Sequence, residues 1–414
     1  MEKIYIAGGA QTDFERNWSK EGKGPIAMLR EVVEDCLQNA GLDYGDIVSL
    51  GKDARIACYV GNFAGEQYTG QAHSGALLTE VSSAFYGIPS ARYEAACASG
   101  SVALEAAIHG IMSGTRDVAI VVGWEIMKTV DSRRCGDILG AAALYEQESR
   151  NIAYPFPKLF GRLADATIDR YGLDRERYLC CLAEISAMNY KNAKRNPLAQ
   201  TRRWHMSREK ALRRGIKTNA IVSGNLATAD CSQISDGAAA VVLVSETIRR
   251  RLNRKLPYVC GMGMRVAPMR MEEKLDNGRT TPFLLPWTRQ AVLDAYCSAK
   301  LSVHDIDVFE IHDCFTSSEY VEISALGLTE PGEEYTAVES GLIAFDGQYP
   351  INPSGGLIGC GHPVGASGVR MFLDIAKQLR GEAGDYQIEN AHHGLVLNIG
   401  GSATTNYVFI LSAY

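Results

Sequence analysis

Ala95-Ala96-Cys97-Ala98-Ser99-Gly100-Ser101-Val102-Ala103-Leu104 is the stretch from which the rest of the chain is read. One cysteine sits among small residues, and the apolar spacing after it predicts a helix running to about Met112. A thiol at a helix start meets free backbone N–H groups and the positive end of the helix dipole. Both favour the thiolate, which is the nucleophilic form. The small neighbours would admit a substrate carbonyl. They would equally admit a second helix, so alone the segment reads as well as a buried cysteine at a helix contact.

Three further stretches favour chemistry. Near the C-terminus runs Asn352-Pro353-Ser354-Gly355-Gly356-Leu357-Ile358-Gly359-Cys360-Gly361-His362-Pro363-Val364-Gly365-Ala366-Ser367-Gly368. Between it and Cys97 stands Glu310-Ile311-His312-Asp313-Cys314-Phe315, and the last strand-like segment reads Leu397-Asn398-Ile399-Gly400-Gly401-Ser402-Ala403. In this order the four motifs resemble those of the thiolase superfamily, in particular the sterol-carrier-protein-2-type thiolases, and the likeness spans essentially the whole chain. The fold this implies is α/β, with two duplicated βαβαβ-type halves packed as α-β-α-β-α layers and a loop domain inserted into the first half.

Composition sets outer limits. The 414 residues are 46% hydrophobic and 22% charged, an ordinary globular balance with room for two or three domain-sized units. A net charge of −6 gives no nucleic-acid footprint. No apolar run approaches the roughly 20 residues of a membrane span. Eleven cysteines, an odd number without paired short spacings apart from Cys180-Cys181, suit free thiols in a reducing compartment. Met1–Gly9 reads as a first strand rather than a secretory leader, and Leu411-Ser412-Ala413-Tyr414 carries no peroxisomal address, so the expected location is cytoplasmic.

Strand-like and helix-like segments alternate. Ile4–Ala7, Ile56–Val60, Val118–Val122 and Ala238–Val244 read as strands, and Ile26–Ala40 as a helix stopped by Gly41. A weak repeat is visible. Cys97 opens a helix leading to Val118–Val122, and His362 opens a helix over about Ala366–Leu379 leading to the strand Leu395–Ile399. Halves of this kind would pack with the two helices meeting in the core, their starts sharing one site. The segment between Lys128 and Thr228 is more helical, charged and turn-rich. We therefore place the N-terminal half at 1–128 with 229–250, the inserted loop domain at 129–228 and the C-terminal half at 251–414.

The resemblance implies roles residue by residue. Cys97 matches the family nucleophile, and His362 the base that takes its proton. The N–H groups of Cys97 and Gly400 would form the oxyanion hole for the tetrahedral intermediate. Many thiolases carry a second catalytic cysteine where this chain has Asn398, an amide that cannot act as acid or base. The His-Asp-Cys-Phe motif then supplies Cys314 as acid/base, and His312 would pair with His362 around the enolate oxygen. The reaction implied is CoA-dependent cleavage of a 3-oxoacyl-CoA, or the reverse Claisen condensation, through an acyl-Cys97 intermediate. Two alternatives stay open: a retro-aldol carbon–carbon lyase acting on a 3-hydroxyacyl-CoA, and a non-catalytic acyl-CoA-binding subunit. Expected partners are acyl-CoA and CoA (as substrates), a second copy in a homodimer or dimer of dimers, and a small zinc-ribbon/OB-fold subunit, with no nucleic acid and no membrane.

Lys191–Lys217 holds ten Lys or Arg against one acid, Glu209. Arg195, Arg202 and Arg203 are candidates for the phosphates of coenzyme A, although a solvated face or a subunit contact explains the run as well. His312, Cys314, Cys360 and His362 also read as a soft ligand set for zinc. Their one-residue gaps are shorter than usual zinc spacings, and such a site would strip Cys97 of its partners. Gly8-Gly9 and Gly261-x-Gly263 lack dinucleotide-binding spacing, so neither a metal nor a nucleotide cofactor is expected in the chain.

Overall fold

In the computed structural model, which describes residues 3–414, strand β1 (Ile4–Gln11) leads to helix α1 (Pro25–Ala40). Pro25 suits a first helical turn, where its missing N–H costs nothing. Gly41, left-handed at φ 73°, ends the helix by donating its N–H to the carbonyls of Leu37 and Gln38. Then come β2 (Ile56–Gly61), β3 (Ser90–Tyr93), α2 (Ser99–Met112) and β4 (Val118–Ile126). The next hundred residues carry helices α3 (Ser132–Leu139), α4 (Pro155–Tyr171) and α5 (Arg175–Ala193) and a small hairpin, β5 (Ile221–Ser223) with β6 (Leu226–Ala227). Strand β7 (Asp236–Val244) returns to lie between β4 and β1. The remainder contributes β8 (Tyr258–Val266), α6 (Pro286–Ala299), β9 (Val308–Glu310), α7 (Thr316–Leu326), α8 (Val364–Arg380), β10 (His393–Gly400) and β11 (Thr405–Ser412).

The strands run in the order β3-β2-β4-β7-β1-β8-β11-β10-β9. β2 is parallel to β3 and β4, and β9 to β10; the other ladders are antiparallel. The strands of the two halves are stitched into one sheet by a short ladder between β1 and β8, Ile4 opposite Val259 and Tyr5 opposite Tyr258. The sheet therefore folds over a central layer of helices.

Side-chain alternation sorts the layers. Ile120, Val122, Val242 and Val244 pack with Val32, Val33 and Leu37 of α1 on the outer face. Ala119, Val121, Val241 and Leu243 turn inward to Leu104 and Ile108 of α2 and Val369 and Phe372 of α8. Val396, Phe409 and Leu411 close the same core from the second half, while Leu395, Leu397, Val408 and Ile410 face Ala291, Val292 and Ala295 of α6. The result is the α-β-α-β-α stack. Strands covered on both faces read as unbroken apolar runs, as at Val118–Val122.

Helices α2 and α8 touch backbone to backbone. A Cβ on Gly100 would lie 2.9 Å from the Val369 nitrogen, and one on Gly368 would lie 2.7 Å from the Ser101 nitrogen. No larger residues fit this crossing, and it brings the starts of both helices together. Glu310, at the end of β9, is tied to α8 by Arg370 at 2.7 Å, and Arg370 also meets Asp374 at 3.2 Å, all three buried. Among the described residues no helix is long and apolar enough to cross a membrane.

Candidate active site

Cys97 stands on a tight turn just before α2. Ala98 donates to the Ala95 carbonyl and Ser99 to that of Ala96, each at 3.0 Å, and the Ser99 hydroxyl accepts from the Ala95 N–H at 3.1 Å. Ala96 is held left-handed at φ 53°, a conformation that costs an alanine about 1–2 kcal/mol. The strain sits immediately before the residue matched to the nucleophile, the kind of place where strain is retained. Gly400 closes beneath the turn, so tightly that a Cβ there would lie 2.2 Å from the Ala95 carbonyl oxygen.

His362 arrives from the other half, one residue before the Pro363 cap of α8. Its N–H donates to the Ser235 hydroxyl at 2.8 Å, and Ser235 is bonded to Gln200. His312 follows β9, with its N–H given to Glu322 of α7 at 3.0 Å. The two imidazoles meet edge to face, centroids 5.3 Å apart. One ligand-type atom from each of Cys97, His312 and His362 falls within 4.8 Å of the others. Cys97, Cys314, His362 and Gly401 border one cavity of about 190 Å³. Phe63, Met127, Leu139, Phe156 and Phe315 make its walls apolar.

Hydrogen-bond partners separate the two histidines. The Nδ1 of His362 lies 2.7 Å from the Ser367 hydroxyl, which already donates to the Pro363 carbonyl at 3.0 Å. Ser367 therefore accepts the Nδ1 proton and leaves Nε2 a bare acceptor. At His312 the Asn398 amide nitrogen lies 3.0 Å from Nδ1, while the amide oxygen accepts from Ser101 at 2.7 Å. With hydrogens assigned from these partners, Nδ1 accepts and Nε2 carries the proton. Both Nε2 atoms are buried and unpartnered. One can take a proton from the thiol and the other can donate to an oxyanion.

Electrostatics overturns one expectation. The turn before α2 does not by itself hold Cys97 as a thiolate. Cys97 opens partly into the cavity, but burial of its sulfur pushes the thiol up to about 12, against N–H groups of Gly401 and of Cys97 itself that pull it down. The dipole of α2 is outweighed by desolvation. Burial, and Cys97 nearby, raise the Cys314 thiol well above its ordinary value. Burial, then the charge of Arg370, lowers His362 to about 3. His312 is driven well below the ordinary range by burial, His362 and Arg370. At neutral pH the site holds two thiols and two neutral imidazoles.

Some expected residues lie elsewhere. Among Arg195, Arg202 and Arg203, none borders the cavity. Arg202 is spent on Asp13 at 2.8 Å and Glu15 at 2.6 Å, Arg195 lies over the Phe345 ring at 4.1 Å, and Arg203 projects into solvent near Glu15. Part of the basic run is paired within the chain; Arg208 with Glu184 and Arg214 with Asp230 belong to it too. Cys360 is buried against Asn196 at 3.5 Å, outside the Cys97–His312–His362 cluster. The supports Ser101, Ser367 and Glu322 were not foreseen from the sequence. Only position could have signalled the two serines, each in the first turn or so of a paired helix, and it is a weak signal.

Comparison with known proteins agrees with this architecture. Residues 4–247 match the family described as thiolase, N-terminal domain, and residues 274–413 match thiolase C-terminal domain-like. An acetyl-CoA acetyltransferase of Methanothermobacter thermautotrophicus is 34% identical over 412 residues, covering 100% of both chains. Human sterol carrier protein 2 is 28% identical over 97% of this chain and 70% of its own length. Among solved structures, the Ltp2-ChsH2(DUF35) aldolase superposes with a TM-score of 0.76 at 19% identity, over 99% of this chain and 98% of that one.

Proposed function

This chain belongs to the thiolase family, and from that premise we propose that it cleaves a 3-oxoacyl-CoA with CoA, or runs the reverse condensation, through an acyl group on Cys97. The observation that carries the reading is the convergence of Cys97, His312 and His362 within 4.8 Å, beside a cavity that Cys97, Cys314 and His362 border.

In the degradative direction His362 Nε2 takes the Cys97 proton as the sulfur attacks the 3-oxo carbon. A thiol this reluctant to ionise needs that base in contact. The tetrahedral oxyanion is held by the N–H groups of Cys97 and of the Gly400-Gly401 turn. The bond between the α-carbon and the former carbonyl carbon breaks. The departing enolate oxygen is met by His312 Nε2–H and by the now protonated His362. Cys314 gives its proton to the α-carbon, releasing acetyl-CoA or another acyl-CoA. The thiol of CoA then attacks the Cys97 thioester, its proton going to the Cys314 thiolate, while the released Cys97 sulfur takes its proton back from His362 and acyl-CoA departs. Asn398 takes no part in proton transfer and braces His312 instead.

Coenzyme A is substrate here, with Arg195, Arg202 and Arg203 kept as candidates for its phosphates. We further propose a homodimer or dimer of dimers and a small zinc-ribbon/OB-fold partner; the paired name of the superposing Ltp2-ChsH2(DUF35) aldolase favours a partner of some kind. Eleven free cysteines suit the reducing, cytoplasmic setting proposed for it. A thiolysis screen across 3-oxoacyl-CoA chains, with and without such a partner, tests the reading. CoA-dependent product formation supports it. Aldehyde release from 3-hydroxyacyl-CoA without CoA consumption would make the chain a lyase, and binding without turnover an accessory subunit.

A further inference from the structure

We propose that Cys97, His312 and His362 also form a binding site for a soft divalent cation of the zinc class, whose occupancy blocks the nucleophile. The proposal needs only the geometry of these side chains, whatever reaction they perform.

The donors are of the right type and are free. The sulfur of Cys97 and one nitrogen of each histidine lie within 4.8 Å of one another. Both Nε2 atoms are buried with no hydrogen-bond partner, and they belong to residues only 0% and 6% exposed. Thiolate and imidazole are the ligand pair that zinc favours. Zinc bonds of about 2.0–2.3 Å place tetrahedral ligand atoms roughly 3.3–3.6 Å apart, so atoms already within 4.8 Å of one another need close by no more than about 1.5 Å. A cavity on one side of Cys97 leaves the fourth position to water. This trio is not the quartet suggested by sequence spacing, since Cys360 faces Asn196.

The outer contacts match a metal site. A ligating histidine anchors its other ring nitrogen to a fixed acceptor. His362 does so already, Nδ1 to Ser367 at 2.7 Å. At His312 the Asn398 amide faces Nδ1 at 3.0 Å, and turning that amide over presents its oxygen as the acceptor, with Ser101 taking the amide N–H. The Nε2 lone pair is then free for the ion. Binding is a proton exchange: the Cys97 S–H bond breaks, a sulfur–metal bond forms and the proton leaves to solvent. No oxidant or reductant is involved.

The test uses the purified full chain, with Co²⁺ as spectroscopic stand-in and Zn²⁺ as protecting ion. Titration with Co²⁺ is expected to give a thiolate-to-cobalt absorption band that saturates at one ion per chain. Zn²⁺ is expected to slow alkylation of Cys97 by iodoacetamide at least tenfold, read by peptide mass, with reversal by EDTA. The band is expected to vanish in Cys97→Ser and His362→Ala and to persist in Cys360→Ser. Absence of the band, its survival in Cys97→Ser, or unchanged alkylation in wild-type chain with Zn²⁺ would each overturn the proposal. None of these readouts uses turnover, so a chain that binds the ion but cleaves no 3-oxoacyl-CoA would refute the acyl-transfer reading and leave this one standing.

Discussion

At Cys97 the local turn supplies position, and His362 must supply reactivity. Because burial pushes the thiol up to about 12, alkylation of the free enzyme should keep rising past pH 9 rather than levelling near the ordinary cysteine value of about 8.5. The measurement is the iodoacetamide rate against pH, followed at the Cys97 peptide. Cys97→Ala should lower kcat by about 10⁴-fold while acyl-CoA binding, read by calorimetry, stays within a few-fold. Cys97, His362, His312 and Cys314 were all legible as candidates because each sits in a short motif whose residue types are chemically distinctive. Their supports were not. Ser101, Ser367 and Glu322 are ordinary polar residues whose meaning lies in a hydrogen bond to one ring or one amide, and no spacing announces that. The ion pairs of Arg202 were not legible either, since Asp13 and Glu15 lie almost two hundred positions from the basic run.

Two contacts fix helix α8 in the central layer. The first is the crossing of α2 and α8. Gly100→Ala gains some helix propensity, but its Cβ would press on Val369 N at 2.9 Å and Gly365 O at 3.0 Å, both backbone. A net loss of about 1–3 kcal/mol is expected, read by urea unfolding. The second is the buried Glu310–Arg370–Asp374 group linking β9 to α8. Arg370→Met strands two carboxylates and should cost about 3–5 kcal/mol in the same assay. It also removes a positive charge that helps hold both imidazoles neutral, so the His362 titration, followed by NMR, should move upward. Helix and strand positions were readable because their periodicity is local. Val118–Val122 and Ile26–Ala40 fall inside the observed β4 and α1, sharing Val118 and Ala40 as ends and stopping four residues short in β4 and one in α1. The β1–β8 ladder, two residue pairs long, was not readable, because nothing in either strand specifies its partner.

For the molecule as a whole, buried neutral histidines set an acid limit. His362 titrates near 3 when folded and about 6.5 when unfolded, so the unfolded chain binds more protons between those values. Stability from this group is complete above about pH 6.5 and is lost as pH falls through 3, at up to about 1.4 kcal/mol per pH unit. Denaturant midpoints should decline below pH 6.5, and His362→Gln should flatten that decline. The layered fold was implied by the family resemblance, with a weak repeat between the helix after Cys97 and the helix after His362, and the structure places these helices side by side in the central layer. Yet the central claim is chemical, and it rests on a covalent bond to one sulfur. The direct measurement is mass spectrometry of the chain quenched in acid during turnover of a 3-oxoacyl-CoA. The account requires the acyl mass on the peptide bearing Cys97, removed by added CoA and missing in Cys97→Ala. Turnover with no acyl group on that peptide, or undiminished turnover by Cys97→Ala, would contradict it.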